Sequence, residues 1–476
     1  MSLPTLRFAA FLLLAALGRT LLPRELRKPW LLLACGVFYW LAGGGFVLLL
    51  AAETVVSWAL ALAAQKRLWG KRRLWTGLGA FSVLGLLFLL KYARFFLSLG
   101  GLEGFLPAWA LPAGISFFSF SISGYLFDVG KGKYPAEPSL LNYALFTAFF
   151  PGILAGPIER GDTLLPQLRS LPDGDGEARR RGLMRFVWGA GKKLIAADTL
   201  GLYVDAAYLD PSAVSGGALL AAVLLYSFQI YLDFSAYTDM AVGCSELLGF
   251  RLTENFSAPY RSVSVKDFWK KWHMSLTGWF REYLYFPLGG SRMGVGRTAL
   301  NVLIVFAVSG LWHGASLTFL LWGLLNGAYQ VLGSFTLPAR RKLWAKLGLR
   351  EEGRLLTLLR TLLTFAFITG AWILFRSSSP GQAVYVVKRI LLVLRDGFGL
   401  ESAISLLSVR QLRLLPLCLL VCFWEDRRIA LGRSRVPLPE NPFAYWGLVG
   451  LLCLLIALFG VYGLGFDARE FVYFQF

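Results

Sequence analysis

Charged side chains are scarce in this chain, and their scarcity excludes a soluble globular fold. They make up 16% of the 476 residues, against about a quarter in soluble domains. Hydrophobic residues reach 56%, and the mean hydropathy is +0.59. Residues 29–52, 74–90 and 298–339 contain no Asp, Glu, Lys or Arg, and a run of roughly 20 apolar residues can cross a bilayer. Because backbone groups in lipid must satisfy one another, we predict about ten to twelve membrane helices, forming one domain over residues 1–476.

Several motifs of soluble enzymes are also missing. The chain has no GxxxxGK[ST] phosphate loop, no HExxH pair and no GxSxG turn. No ATP-hydrolysing site and no nucleophile elbow of a serine hydrolase is therefore predicted. Its five cysteines lie in or beside apolar segments without metal-ligand spacing, and they are interpreted as packing residues. No metal site and no bound cofactor is predicted.

Basic residues are in excess, with a net charge of +20, and they gather in clusters between apolar runs. A basic protein can bind nucleic acid, but clusters between membrane segments are typical of cytoplasmic loops under the positive-inside rule. We therefore predict the lipid bilayer, and no nucleic acid, as a partner. The clusters lie at residues 24–28, 66–73, 179–181 and 340–346. Residues 8–17 are predicted to begin a first transmembrane helix rather than a signal peptide, because more hydrophobic segments follow.

Two segments differ from simple spanning helices. Residues 140–158 are apolar but are interrupted by two prolines and two glycines. They fit either a re-entrant element or a kinked pair of short helices, and the sequence leaves both open. In residues 265–286 aromatic and aliphatic side chains recur mostly at spacings of three and four, with basic residues in other directions. This pattern predicts one amphipathic helix lying at a membrane surface.

Only two histidines occur, His273 and His313, and histidine is the side chain best suited to proton transfer near neutral pH. His313 lies in the middle of the uncharged run 298–339, where one membrane helix is expected to give way to the next. An ionisable side chain at membrane depth is costly and is therefore a functional candidate, with a neutral histidine bonded between helices as the alternative. His273 borders the apolar stripe of residues 265–286, where an ordinary interfacial histidine is the competing interpretation.

Two carboxylates, Asp233 and Asp239, also fall near membrane segments. They are six residues apart and do not share one helix face, so they are not interpreted as a simple acid–base pair. The structural alternative is a helix end with Asp caps. Spans are predicted near residues 216–234 and 239–250. Cys244 and Ser309 are conceivable acyl carriers, but neither has a visible activating base in the sequence.

Several blocks of the sequence resemble membrane-bound O-acyltransferases, over roughly residues 30–476. The most specific blocks are FWKKWHMSL and WFREYL, at residues 268–276 and 279–284. The other blocks are FPGILAGPIER, QIYLDFSAYTD and GLWHGA, at residues 150–160, 229–239 and 310–315, and the tail FVYFQF is similar to the family's usual ending. The stretch YFPLGGSR at 285–292 resembles the bacterial branch that acetylates alginate. The D-alanyl transfer proteins of teichoic acids share the two histidine blocks.

This resemblance implies an all-α integral membrane protein, with a multi-helix core and with re-entrant and interfacial helices around a central tunnel. It implies that His313 is catalytic, and that His273 belongs to the active site on a cytoplasmic-side element of the tunnel. Arg281 and Lys270 could meet the phosphates of coenzyme A, although anionic lipid would attract the same cations. The candidates for the tunnel and for donor binding are Trp269, Trp272, Ser275, Arg281, Trp312, Asp233 and Asp239.

The implied activity is acyl transfer from a cytoplasmic thioester donor, acetyl-CoA, across a bacterial inner membrane. A separate SGNH-type acetyltransferase on the extracytoplasmic side would then place the acetyl group on a polysaccharide acceptor. D-alanyl transfer to teichoic acid is the alternative within the family. A transporter or lipid flippase would share the broken helices and midplane polar residues, but the sequence lacks a two-fold pattern of matching interrupted helices. A structural scaffold for secretion would tolerate replacement of His313.

Overall fold

The computed structural model describes residues 3–66, 70–107, 110–462 and 471. Regular structure in this part of the chain is helical, and no strand occurs there. The all-α fold class predicted from the sequence is therefore confirmed. The tail block at 471–476 lies outside the described residues except for Phe471.

The described residues form two compact units. The first is drawn from Met1–Ala190 and Tyr237–Glu254, and the second from Gly191–Ala236 and Asn255–Val472. The prediction of one domain over residues 1–476 stays a prediction.

The first unit contains nine helices of the described residues and the C-terminal part of another. Helices α3, α4 and α6 pack on one another, and α7 packs on α2 and α3. A 3-10 turn at Gly44–Phe46 joins α2 to α3, at a cluster of three consecutive glycines. The nine are α1 Leu6–Leu21, α2 Arg24–Gly43, α3 Val47–Gln65, α4 Arg72–Leu87, α5 Ala93–Ser98, α6 Ile115–Lys131, α7 Leu140–Ala148, α8 Gly161–Ser170 and α9 Gly176–Gly191.

The second unit contains the candidate site. Helix α15 packs against both α14 and α16, and the short helix α12 packs against α15 and α16. Among the described residues the helices after α9 are α10 Asp198–Leu209, α11 Gly216–Leu247, α12 Val265–Lys271, α13 Met274–Phe280, α14 Gly294–His313, α15 Leu317–Lys346, α16 Arg354–Arg376, α17 Pro380–Leu391, α18 Val393–Asp396, α19 Leu400–Ile404, α20 Val409–Ala430 and α21 Pro442–Phe459.

Six stretches of the described residues are helical, long and apolar enough to cross a membrane. They are Arg24–Gln65, which contains α2 and α3, together with Arg72–Ser98, Gly216–Leu247, Gly294–His313, Arg354–Arg376 and Pro442–Phe459. The number is smaller than the ten to twelve apolar segments predicted, partly because α1 and α6 have only 16 and 17 residues. The number of crossings stays a prediction.

Two predicted segments differ in detail. Helix α7 ends at Ala148, and residues 149–160 form turns and extended backbone rather than a second short helix. The re-entrant alternative for residues 140–158 stays a prediction. Helix α11 runs without interruption for 32 residues through the two spans predicted at 216–234 and 239–250. Most of its residues are buried, as expected for a helix that is apolar on nearly every side.

Candidate active site

His313 is the last residue of α14, at a hairpin where α14 and α15 pack very closely. A Cβ atom on Gly310 would lie 2.2 Å from the carbonyl oxygen of Phe319, and one on Gly323 would lie 2.1 Å from that of Phe306. Only glycine leaves room for backbones this close. The predicted change of helix within residues 298–339 is therefore confirmed, and small residues allow the close approach of the two helices beside His313.

Aromatic side chains surround the His313 ring. The centroids of Trp312, Trp322 and Phe375 lie 5.0, 5.1 and 5.2 Å from that of His313, each edge-to-face. Trp322 also stacks on Trp372, with centroids 5.5 Å apart. Edge-to-face pairs of this kind favour one mutual orientation. The imidazole of His313, which is only 4% exposed, is therefore held in a defined orientation.

His273 lies at a break between two short helices, which corrects the prediction of one amphipathic helix over residues 265–286. Helix α12 ends at Lys271, and α13 begins at Met274. His273 between them has φ +44° and ψ +55°, the left-handed conformation. A histidine adopts that conformation more readily than most side chains but seldom does so. The spacing of apolar residues predicted the helical pieces and missed the turn, because each piece keeps the same periodicity.

The break directs the His273 side chain into the protein interior. The ring lies 4.7 Å from that of Phe234 and 5.9 Å from that of Trp312, centroid to centroid. His273 is only 1% exposed, so it is not an ordinary interfacial histidine. Burial lowers the pKa of His273 to about 3, because the charged imidazolium loses its hydration. His273 is therefore neutral at physiological pH.

Both histidines line a single cavity of about 510 Å³ in the second unit. Its lining on α14 runs over 18 residue steps from Val295 to His313, which at about 1.5 Å per residue corresponds to roughly 27 Å. That length approaches the hydrocarbon thickness of a bilayer, about 30 Å. The buried part of the cavity is lined by Trp269, Trp272, His273, Leu276, Phe280, Phe306, Ser309 and His313.

The exposed part of the cavity is positively charged. Lys266, Lys270 and Arg281 line it and are all exposed. Of the described residues that line the cavity, none is acidic. The cavity therefore combines an apolar interior that contains two imidazoles and a hydroxyl with an opening that favours anions.

Five of the nine predicted site residues line this cavity, namely His273, His313, Trp269, Trp272 and Arg281. Trp312 is not among the lining residues, but its ring centroid lies 5.9 Å from that of His273 and 5.0 Å from that of His313. Ser275 is buried in the first turn of α13, where its backbone N–H donates to Asn255 Oδ1 at 3.2 Å. Asp233 and Asp239 are not among the lining residues. Of the two conceivable acyl carriers, Ser309 lines the cavity and Cys244 does not.

Asp233 belongs to a buried ionic network in the second unit. Lys193 Nζ lies 2.7 Å from Asp233 Oδ1 and 2.9 Å from Asp198 Oδ1. Lys192 Nζ donates to Ser235 Oγ at 2.9 Å and lies 2.9 Å from Glu425 Oε2. Buried charges are tolerated when they are paired in this way. Asp233 is thus part of the framework of the unit.

Asp239 has a comparable role in the first unit. Arg185 lies 2.9 Å from Asp239 and holds Glu254 with two further hydrogen bonds of 2.6 Å. Since α11 continues through Asp233 and Asp239, the alternative of Asp caps at a helix end is wrong for both. Their pairing partners lie 40 and 54 residues away in the chain, too distant for a local pattern to reveal.

Other residues that shape the cavity were not predicted. Trp269 Nε1 donates to Asn326 Oδ1 at 3.3 Å, which fixes the indole against α15. Asn301 on α14 donates to the carbonyl oxygens of Leu288 and Gly290 at 3.1 and 2.9 Å and fixes the loop before α14. A polar residue within an uncharged membrane run is the only signal in the sequence that could have identified these asparagines.

The sequence matches the membrane-bound O-acyltransferase family over residues 133–375, a range that includes both histidines. The chain belongs to this family, as its resemblance indicated, and it is a multi-pass membrane O-acyltransferase that uses an acyl donor.

Three relatives are named for the group that they transfer or the polymer that they modify. The chain is 36% identical over 364 residues to the probable alginate O-acetylase AlgI of Pseudomonas aeruginosa. The aligned region covers 74% of this chain and 67% of that protein. It is 32% identical over 420 residues to the peptidoglycan O-acetyltransferase of Helicobacter pylori, with coverage of 80% and 77%. The teichoic acid D-alanyltransferase of Bacillus subtilis is 26% identical over 277 residues, with coverage of 55% and 68%.

Proposed function

We propose that this enzyme takes an acetyl group from cytoplasmic acetyl-CoA and passes it across a bacterial inner membrane for O-acetylation of an extracellular polysaccharide. The observation that carries the proposal is the cavity, which has two imidazoles in its buried part and three cations at its opening. The two relatives of highest coverage described above, named as an alginate O-acetylase and a peptidoglycan O-acetyltransferase, support acetyl as the group and a polysaccharide as the final acceptor.

His313 is the proposed general base. It takes the proton from an acceptor hydroxyl as that oxygen attacks the thioester carbonyl carbon. The C–S bond then breaks, the new C–O ester bond remains, and the proton passes to the departing thiolate sulfur. General base catalysis contributes about 10²- to 10⁴-fold, and alignment of donor and acceptor in a water-poor cavity contributes further. The edge-to-face rings around His313 support this role, because they fix the direction of its nitrogen atoms.

His273 is the proposed partner of the carbonyl oxygen. A neutral imidazole carries one N–H donor, and a fixed donor can stabilise the negative charge that develops on that oxygen. The lowered pKa of His273 supports this role, because it keeps the ring neutral at cytoplasmic pH. Trp269 and Trp272 are proposed as walls for the acyl group and the pantetheine arm.

Lys266, Lys270 and Arg281 are the proposed contacts for the phosphates of coenzyme A. They are exposed, they line the opening of the cavity, and no acidic residue of the described lining competes for them. A guanidinium can hold a phosphate through two hydrogen bonds, which makes Arg281 the strongest of the three.

A partner protein completes the proposed route. A membrane enzyme that delivers acetyl groups to the outer side needs an acetyltransferase there that recognises the polymer, and an SGNH-type enzyme has that chemistry. The identity of the polysaccharide is left to the experiment.

The test is the ester-acetate content of surface polysaccharide in a deletion strain that carries wild type, His313→Ala or Thr336→Ala at matched membrane levels. Thr336 is exposed on α15, donates only to its own helix at Leu332 and does not line the cavity, so it is the control. We expect ester acetate with wild type and Thr336→Ala and none with His313→Ala. Normal acetate with His313→Ala would refute the general-base role.

Ester-linked D-alanine is measured in the same strains. Its loss from the deletion strain, with acetate unchanged, would replace the acetyl proposal by D-alanyl transfer, for which the Bacillus subtilis relative is named. If neither ester changes in the deletion strain, transport becomes the alternative.

A further inference from the structure

The N-terminus of α13 is capped from outside its own segment. His273 occupies the N-cap position, but its side chain makes no capping hydrogen bond. The N–H groups of Met274 and Ser275 instead donate to one residue, Asn255, through its backbone oxygen at 3.0 Å and its Oδ1 at 3.2 Å. An N-cap side chain normally accepts such bonds itself. Asn255 therefore accepts the hydrogen bonds at the start of α13 that the N-cap side chain, here His273, would otherwise accept.

The same segment also holds the other side of the break. Ser257 N–H donates to the carbonyl oxygen of Lys271, the last residue of α12, at 3.0 Å. Residues 255–257 thus bond to the chain both before and after His273. A left-handed conformation at a residue other than glycine persists only when its surroundings enforce it. These three bonds supply that enforcement.

We propose that Asn255 is a positioning residue for the acyl-transfer site, because it caps α13 in place of His273 and leaves the His273 imidazole to line the cavity. Asn255 is fully buried and is not a cavity-lining residue, so it reaches the cavity only through the residues that it positions, His273 and the first turn of α13. The catalytic consequence rests on the proposed function, whereas the effect on the His273 ring does not.

Two substitutions separate capping from side-chain bulk. Asn255→Ala removes the Oδ1 acceptor. Asn255→Asp keeps an oxygen acceptor of the same shape, and we expect the new carboxyl to be protonated at this fully buried position; the Nδ2 atom that it replaces makes no hydrogen bond within the described residues. Asn441→Ala is the matched control, since Asn441 Oδ1 caps α21 by accepting from Phe443 and Ala444 at 2.8 and 3.2 Å, and no residue of α21 lines the cavity.

The first readout is independent of activity. The chain contains only two histidines, so protein labelled with ¹⁵N-histidine gives two imidazole spin systems, which His313→Ala assigns. We expect Asn255→Ala to shift the His273 resonances by more than their linewidth. Asn255→Asp and Asn441→Ala should leave them at their wild-type positions. Unchanged His273 resonances in Asn255→Ala would overturn the proposal.

The second readout is transfer from radiolabelled acetyl-CoA to the polymer in membranes of the same strains. We expect kcat to fall about tenfold or more in Asn255→Ala, with the KM for acetyl-CoA within twofold of wild type, because the cations at the opening are untouched. Asn255→Asp should restore kcat. An equal loss in Asn441→Ala would reduce Asn255 to an ordinary cap and overturn the proposal.

The two hypotheses fail in different ways. If wild type transfers no acetyl group, the proposed function fails while the ¹⁵N spectra still test the positioning of His273. If Asn255→Ala is not recovered from membranes, Asn255→Ser takes its place. That variant keeps the backbone acceptor and shortens the side chain, and the same displacement of the His273 resonances is required of it.

Discussion

The crossing of α14 and α15 provides a prediction with a control on the same helix. At Gly323 an added Cβ would lie 2.1 Å from the Phe306 carbonyl oxygen and 3.2 Å from Gly310 Cα. These are backbone atoms that cannot rotate away. Ordinary contact begins near 3.4 Å, so Gly323→Ala must separate the two helices locally by roughly 1 Å. At Gly333, ten residues further along α15, an added Cβ meets nothing within 4 Å.

The two alanine substitutions should therefore have opposite effects on stability. Overpacking costs about 1–3 kcal/mol, whereas alanine gains up to about 1 kcal/mol over glycine in a helix interior. We expect Gly323→Ala to be less stable than wild type by about 1–2 kcal/mol, after its helix-propensity gain is included. We expect Gly333→Ala to be as stable as wild type or slightly more stable.

The same separation should reach the active site. His313 follows Gly310 by one helical turn, and the Trp322 ring beside His313 belongs to the residue before Gly323. A displacement of roughly 1 Å at a catalytic group can cost about 10²-fold in rate. The assays are the thermal midpoint of the solubilised protein and acetyl transfer in membranes. Equal midpoints and equal activities for Gly323→Ala and Gly333→Ala would refute the close crossing.

Three further predictions concern ionisable groups. The pKa of His273 is about 3 in the folded chain against 6.5 ordinarily, so the unfolded state binds more protons as pH falls below 6.5, and stability is lost. At pH 5 the loss of folding free energy amounts to about 2 kcal/mol. Because His273→Gln removes this titrating group, its thermal midpoint should change less between pH 7 and pH 5 than that of wild type. Glu425→Gln deprives the buried Lys192 of its counter-ion and should lower the free energy of unfolding by about 3–5 kcal/mol. The double variant Lys192→Met/Glu425→Gln should recover part of that loss. A double variant as unstable as Glu425→Gln would contradict the pairing. Arg281→Gln should raise the KM for acetyl-CoA severalfold with little change in kcat. Lys346 is exposed and lies outside the cavity lining, so Lys346→Gln should change neither constant. Equal KM values in the two variants would indicate that the cations at the opening contact lipid and not coenzyme A.

Much of the fold and part of the site could be predicted from local sequence. Uncharged runs long enough to cross a bilayer predict helices directly, and the length of the uncharged run 298–339 predicted the change of helix near His313, where α14 ends. Because the chain has only two histidines, few residues were candidates for proton transfer. Both of them line the cavity. These successes share a cause, because each signal lies within a few residues of the feature that it predicts.

The features that were missed depend on residues distant in sequence. The break at His273 is held by Asn255, 18 residues earlier, while the apolar periodicity continues through α12 and α13. Two spans were predicted in place of the single helix α11, with Asp233 and Asp239 near their facing ends, and carboxylates inside a buried helix are costly unless they are paired. Lys193 and Arg185 remove that cost, and neither pairing leaves a local trace in the sequence. Hydrogen bonds and ion pairs between distant segments therefore account for these two errors.

The placement of charge in the second unit explains why the cavity suits acyl transfer. The buried cations Lys192 and Lys193 are neutralised by carboxylates away from the cavity lining. The buried part of the cavity contains only side chains that can remain neutral, with both histidines among them. A fixed charge there would bind a counter-ion and water, whereas a neutral imidazole such as that of His273 interacts most strongly, in a poorly hydrated wall, with charge that develops on the reacting oxygen. Because the cations among the described lining residues lie at the opening, a donor with charged phosphates can be held there while its uncharged thioester enters the interior.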